Sequence, residues 1–204
     1  MANPLSRPIS GVFDQLARVY DFPLLQQTFY RPAQDAVVAR LRRADAQRIA
    51  DVGCGTGILS SRIAEELAPT AVYGCDMSDG MLAKARDRSA KVSWTRAPAE
   101  QLPFDDASID AVISTNAFHF FDQPAAVAEF HRVLAPGGLM MIGVVNPSSA
   151  PRRFLLWLGS GGGSVGHFPT PEQMRSLATG AGFATVEHQV VRRWTGEGLT
   201  VATK

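Results

Sequence analysis

Short apolar, β-rich runs alternate with stretches of helical period along most of this sequence, and that alternation constrains the fold more than any other feature. Repeated βα units bury a parallel sheet beneath helices on both faces, so the fold class is α/β. The first strand reads Arg48–Val52, and the helix after it repeats Leu59, Ile63 and Leu67 on one face. Strands follow at Ala71–Cys75, Val92–Arg96, Ile109–Ser114 and Leu139–Val145. Between them, Ser78 is placed to cap a helix with Met81, Leu82 and Ala85 inside, and the helix after Pro124 turns Val127, Phe130 and Leu134 inward. Pro136-Gly137-Gly138 stops that helix. Thr170-Pro171-Glu172-Gln173 joins an N-cap, a first-turn proline and a capping-box glutamine, and Gly180 or Gly182 ends the last helix. Strands at Thr185–Arg192 and Leu199–Thr203 complete a mostly parallel sheet of seven strands.

A chain of 204 residues suits one domain with its own core. Its expected parts are a helical cover over 1–43, a ligand-binding core over 44–145, a connection over 146–168 and a closing helix and strands over 169–204. The connection contains Gly159-Ser160-Gly161-Gly162-Gly163-Ser164, the composition of a flexible tether. With 20 Lys+Arg against 19 Asp+Glu there is no basic surface that asks for nucleic acid, and a small molecule is the default partner. No apolar run reaches the roughly 18 residues of a membrane span, and the start lacks the apolar centre of a signal peptide, so a cytoplasmic place is expected. The two cysteines, Cys54 and Cys75, each follow or end a strand; buried thiols in a reducing compartment are the expectation, a regulatory pair the alternative. Nothing in the sequence sets an oligomeric state.

Asp51-Val52-Gly53-Cys54-Gly55-Thr56-Gly57 lies where the first strand gives way to a helix. Glycines at alternate positions allow a sharp turn and a close approach of ligand to backbone, and the helix start offers unpaired N–H groups. Asp76, at the end of the second strand, is placed to accept hydrogen bonds from the hydroxyls of a ribose. A dinucleotide loop wants glycine at its first, third and sixth positions, but the sixth position here is Ile58. The loop is better shaped for a nucleoside that carries an amino-acid moiety.

These motifs, together with GCDMS, AEQLPFDDASIDAVIS and HRVLAPGGLMMIG, resemble in order the motifs of class I S-adenosylmethionine-dependent methyltransferases. The likeness is nearest the branch that includes the ubiquinone and menaquinone biosynthesis enzymes, and it runs from about Phe13 to Leu139. It implies a Rossmann-like fold and S-adenosylmethionine as cofactor, with S-adenosylhomocysteine as product. It further implies that Asp51, Gly53, Cys54, Gly55 and Gly57 border the methionine part, that Asp76 holds the ribose and that Met77 lies on the adenine. Pro98, Ala99, Glu100, Ser114 and Thr115 are the remaining cofactor residues it implies. Where the family commonly has an acid followed by Ala, this chain has Pro98-Ala99, which leaves the Ala99 N–H as the expected adenine contact. Tyr20, in a leading segment like the family's covering helix, is expected to close the methionine side.

For the acceptor, His119 just past the fourth strand is the candidate general base, with a packed histidine as the plain alternative. His131 is expected to be exposed or structural. Arg152-Arg153 followed by Phe154-Leu155-Leu156-Trp157-Leu158 suggests an apolar lid, with Phe154, Trp157 and His167 facing a small, greasy acceptor; an interface helix or a membrane-surface contact is the alternative. No cluster has metal-ligand spacing, so no metal is expected. The expected reaction is O- or C-methylation of a small molecule; a noncatalytic cofactor-binding module and a nicotinamide-dependent oxidoreductase are the competing readings.

Overall fold

The computed structural model describes residues 31–145, 167–192 and 197–204. Its elements are α1 (Arg31–Ala44), β1 (Arg48–Val52), α2 (Ile58–Glu66), β2 (Ala71–Asp76), α3 (Asp79–Arg88), β3 (Ser93–Arg96), β4 (Ile109–Thr115), α4 (Gln123–Val133), β5 (Leu134–Val145), α5 (Pro171–Gly180), β6 (Thr185–Arg192) and β7 (Glu197–Thr203). A short 3₁₀ turn, Phe118–Phe120, links β4 to α4. The seven strands form one sheet in the order β3-β2-β1-β4-β5-β7-β6. β1 to β5 pair in parallel; β7 runs antiparallel between β5 and β6.

Alternation along the central strands divides the core into two layers. Ala50 and Val52 of β1, Val112 of β4 and Met140 and Ile142 of β5 pack on one face with Val127 and Phe130 of α4 and Met174 and Ala178 of α5. Ile49, Ala111, Ile113 and Met141 point the other way, onto Val37, Val38 and Leu41 of α1 and Leu59 and Ile63 of α2. Because successive side chains of a strand face opposite sides, a sheet covered on both faces needs the continuous apolar runs seen here. The seven-stranded, mostly parallel α/β fold is the one expected.

Local signals also hold. Ser78 Oγ accepts the Met81 N–H at 3.1 Å at the start of α3. Thr170 and Gln173 form a reciprocal capping box, with bonds of 2.8 and 3.3 Å. β5 differs: its pairing with β4 begins at Leu134, opposite Ile109, and resumes at Leu139, opposite Ala111. Ala135–Gly138 therefore bulges out of the ladder rather than lying before it, and the bulge is held by Gly137 N–H to Lys204 O (2.9 Å), Lys204 N–H to Gly138 O (3.0 Å) and Lys204 Nζ to Leu134 O (2.7 Å). No helix among the described residues is long and apolar enough to cross a membrane.

Candidate functional site

The sheet order reverses between β1 and β4, whose chains leave in opposite directions and open a crevice at the carboxyl ends of the strands. A pocket fills that crevice, lined by the glycine loop, the start of α2, the ends of β2 and β4, the stretch after β3, and Gln34 of α1.

The three loop glycines are all left-handed, yet each is required for its own reason. A Cβ on Gly53 would collide with the Ala117 Cβ and come within 3.1 Å of Phe121 Cζ. One on Gly57 would collide with the Trp94 ring, which lies across Gly74 as well. Only Gly55 has nothing within 4 Å of its Cβ position, so it is the glycine that opens onto free space. Gly57 does not line the pocket. The loop's N–H groups are also largely committed: Gly53 and Cys54 donate to Cys75 O (2.8 and 3.1 Å), Gly55 to Asp76 Oδ2 (2.8 Å) and Gly57 to Cys54 O (3.0 Å). The unpaired donors were expected at the helix start, not in the loop, and no side chain caps α2 there.

Asp76 joins the loop to the next helix, because its second oxygen accepts the Ser78 N–H at 2.9 Å. A carboxylate has about four acceptor positions, so one side chain can serve backbone N–H groups and ligand hydroxyls together. Asp51 stands at the pocket floor, 2% exposed, and accepts Ser60 Oγ at 2.6 Å. Burial pushes its carboxyl up to about 7, and the nearby Asp76 adds to the rise while the Ser60 bond opposes it. Both thiols are free; burial raises Cys54 well above its ordinary value and Cys75 to about 12, which leaves them protonated and unreactive.

The wall after β3 is carried by α4. Arg132 grips Glu129 with both arms of its guanidinium (2.8 and 2.7 Å) and reaches Asp106 (2.6 Å) and the Phe104 carbonyl (3.0 Å). Glu129 in turn accepts the Leu102 N–H at 2.7 Å, and Glu100 accepts the Asp122 N–H at 2.8 Å. Ala97, Pro98, Ala99 and Glu100 are thereby held as pocket lining.

At the end of β4, Thr115, Asn116, Ala117, Phe120 and Phe121 line the pocket, while Ser114 is fully buried outside it. His119 is not a lining residue either. Its ring stacks on Phe168 at 4.4 Å and 19°, packs on Phe120 at 3.9 Å, and is pushed down to about 4 by burial. Neutral at ordinary pH but a weak base, it occupies the packed position that was the alternative to catalysis. His167 keeps its side chain exposed, and its backbone is pinned by its N–H to His119 O (3.1 Å) and by Gln123 Nε2 to its carbonyl (2.6 Å). His131 packs edge-on against Phe183, away from the pocket. Tyr20, Phe154 and Trp157 lie outside the described residues.

The fold thus brings Asp51, Gly53, Cys54, Gly55, Asp76, Met77, Pro98, Ala99, Glu100 and Thr115 to one pocket and leaves Gly57, Ser114 and His119 behind its walls. Gln34, Asn116 and the Phe120–Phe121 pair were not foreseen. Gln34 was legible as a polar side chain inside the apolar stripe of Ala33, Val37, Val38 and Leu41. Chemically, the lining carries three acids, Asp51, Asp76 and Glu100, and among the described residues no Lys or Arg. Such a pocket fits a cationic ligand with hydroxyls, as the sulfonium, ammonium and ribose of S-adenosylmethionine are, and repels the diphosphate of a dinucleotide.

Residues 50–142 match a methyltransferase-domain family model. The malonyl-[acyl-carrier protein] O-methyltransferase of Hahella chejuensis is 33% identical over 179 residues, 85% of this chain, and the chain spans 63% of that relative's length. The ubiquinone/menaquinone biosynthesis C-methyltransferase UbiE of Geobacter sulfurreducens is 30% identical over 214 residues, covering 89% of this chain and 82% of the relative. In fold, the chain is similar to a SAM-dependent methyltransferase of Thermotoga maritima, with TM-score 0.75, 24% identity, and coverage of 95% and 99% of the two chains. An acid-lined crevice at the sheet's switch point and a UbiE relative matched over most of its length agree: the chain belongs to the class I S-adenosylmethionine-dependent methyltransferases.

Proposed function

We propose that this protein transfers the methyl group of S-adenosylmethionine to oxygen or carbon of a small, apolar acceptor. The observation that carries this reading is the pocket itself: acids on the β1 and β2 side, and an aromatic wall of Phe120 and Phe121 on the β4 side. The cofactor supplies an electrophilic methyl on a positively charged sulfur. Asp76 accepts the ribose hydroxyls, Asp51 faces the cationic amino-acid end, and the Ala99 backbone meets the base. Phe120 and Phe121 exclude water from the region where the charge disappears; position and a dry wall suffice for an acceptor that is already an anion, whereas a hydroxyl or acidic carbon must also give up its proton to a base. His119, packed and weakly basic, shapes that wall from behind.

Balanced charge and an acidic pocket favour a small molecule over nucleic acid, and a cytoplasmic place accords with the absence, among the described residues, of a membrane-spanning helix. Phe154, Trp157 and Tyr20 are proposed to complete the cover over the acceptor and cofactor. The decisive experiment is transfer of labelled methyl to a panel of phenol, quinone, carboxylate and lipid acceptors, run beside calorimetry with S-adenosylhomocysteine and NADH. Binding of S-adenosylhomocysteine with transfer to one class supports the proposal. Binding without transfer to any class means a noncatalytic binding module, and preference for NADH overturns the proposal outright.

A further inference from the structure

The aromatic wall of the pocket is backed by rings from outside it. Phe120 lines the pocket, and its ring packs on His119 with centroids 3.9 Å apart and planes tilted by 46°. His119 in turn stacks on Phe168 at 4.4 Å and 19°. Three rings thus stand in series, and Phe120 is the one of them that lines the pocket. Phe168 comes from another part of the chain, between β5 and α5, where it packs against the same core layer as α4 and α5. Aromatic rings in contact bury large areas in preferred offset or tilted geometries, so the position of one constrains the next.

Hydrogen bonds tie the same two segments together. Gln123, the first residue of α4 and buried, donates from Nε2 to the His167 carbonyl at 2.6 Å and to the Phe118 carbonyl at 3.5 Å. A carboxamide has two N–H donors, so one side chain can hold both carbonyls. The His167 N–H adds a third tie, to the His119 carbonyl at 3.1 Å. From its other end the segment is fixed by the Thr170 capping box and by Met174 and Ala178 of α5, which sit in the core. The turn itself is anchored by Phe118, fully buried and edge-on to Phe121 at 5.9 Å. Phe168 is therefore a fixed backstop, held from α4 and from α5 alike. Asp76 and the glycine loop are held separately, by their own bonds at the ends of β1 and β2.

We propose that Phe168, held in place by Gln123, determines acceptor specificity: through His119 it sets how far Phe120 stands into the pocket, and so how broad an acceptor fits beside it. This inference rests on the reading above that the Phe120–Phe121 wall is the acceptor side. Protein interiors are close-packed and transmit displacement, so a smaller side chain at 168 gives His119 and Phe120 room to withdraw, and a larger one drives them forward. With a full-sized ring as backstop, the pocket should favour a flat, slender acceptor over a broad one. A misfit of one methylene-sized group in an apolar pocket changes affinity about tenfold or more. Phe168 and Gln123 are positioning residues in this scheme, since they act through the rings in front of them.

The test is calorimetric titration of the S-adenosylhomocysteine-bound protein with two isomers, 4-butylphenol and 4-tert-butylphenol, which share a formula and differ in breadth. Wild type should prefer the slender 4-butylphenol. Phe168→Ala should shift the ratio of the two affinities about tenfold toward 4-tert-butylphenol, and Phe168→Leu and Gln123→Leu about threefold the same way, while Phe168→Trp should shift it the opposite way. Affinity for S-adenosylhomocysteine should stay within about twofold of wild type in every variant. Weakening of both isomers alike would make Phe168 a packing residue and overturn the inference. An unchanged ratio overturns it too, as does a shift in the same direction for Phe168→Ala and Phe168→Trp, or a wild type that binds S-adenosylhomocysteine and neither phenol. Should Phe168→Ala fail to fold, Phe168→Leu and Gln123→Leu decide by the same ratio. A wild type that does not bind S-adenosylhomocysteine strikes the methyl-transfer reading itself, and the inference with it.

Discussion

Replacing Asp51 by Asn should stabilise the free protein in alkaline solution and cost it cofactor. In the folded state the Asp51 carboxyl titrates at about 7 instead of 3.8. A folded pKa above the unfolded one means that the native state holds more protons between those limits, so stability from this group falls as pH rises from about 3.8 to about 7. At about 1.4 kcal/mol per unit the full penalty is on the order of 4 kcal/mol, with little discount for solvent because the residue is 2% exposed. About 3 kcal/mol of it develops between pH 5 and pH 8, which for a chain of this size is roughly 6–12 °C in Tm. His119 acts in the opposite sense, since its folded pKa of about 4 lies below the ordinary 6.5 and stability is lost as pH falls through that window. The readout is therefore the difference in Tm between Asp51→Asn and wild type at each pH, in which His119 cancels. The gap should widen from pH 5 to pH 8. Ligand binding should show the converse: a cation near Asp51 favours its ionised form, so wild type should bind S-adenosylhomocysteine about tenfold more weakly at pH 6 than at pH 8, and Asp51→Asn should show no such slope. A Tm gap that stays constant across this range would refute the claim that burial holds the proton on Asp51.

Asp76→Ala should weaken S-adenosylhomocysteine binding at least about tenfold by calorimetry, because it removes charge-assisted bonds to ligand and also frees the Gly55 and Ser78 N–H groups. Gly74→Ala should destabilise by about 1–3 kcal/mol in denaturant unfolding through its collision with Trp94, and a Trp94→Leu background should relieve most of that cost. Arg132→Leu should lower stability by about 1–3 kcal/mol and weaken cofactor binding together, since it leaves half-buried Glu129 without its cation and unfastens 102–106, the segment that follows the pocket wall. Pro98→Asp offers the adenine amine an acceptor and should tighten S-adenosylhomocysteine binding modestly; weaker binding would place the base elsewhere.

The succession of the strands and most of their ends, the start of β5 excepted, were legible because a doubly covered sheet writes itself as apolar runs between helical periods, and Ser78 and Thr170 announce their helices through capping chemistry that is local. The glycine loop was legible as a site, but its internal division was not. That Gly53 yields to Ala117, Gly57 to Trp94 and only Gly55 to open space depends on residues far along the chain that meet the loop through the fold. The same holds for His119: sequence placed it beyond β4, where ligands bind, yet a packed turn and Phe168 decide which way its ring faces. Gln34 broke the apolar stripe of its helix in plain view, and it went unread because α1 could not be assigned to the pocket until the sheet was assembled.

The strand order also dictates when the sheet can be completed. β6 precedes β7 in sequence, yet it joins the sheet only through β7, which lies between it and β5. Until β7 pairs with β5, β6 has no ladder to join, and its side chains, exposed over most of their length, give it little reason to collapse alone. Folding should therefore proceed outward from β4 and β5, with docking of β6 a late event, and native-state hydrogen exchange should find the outer edge of β6 opening at far lower free energy than β1 or β4.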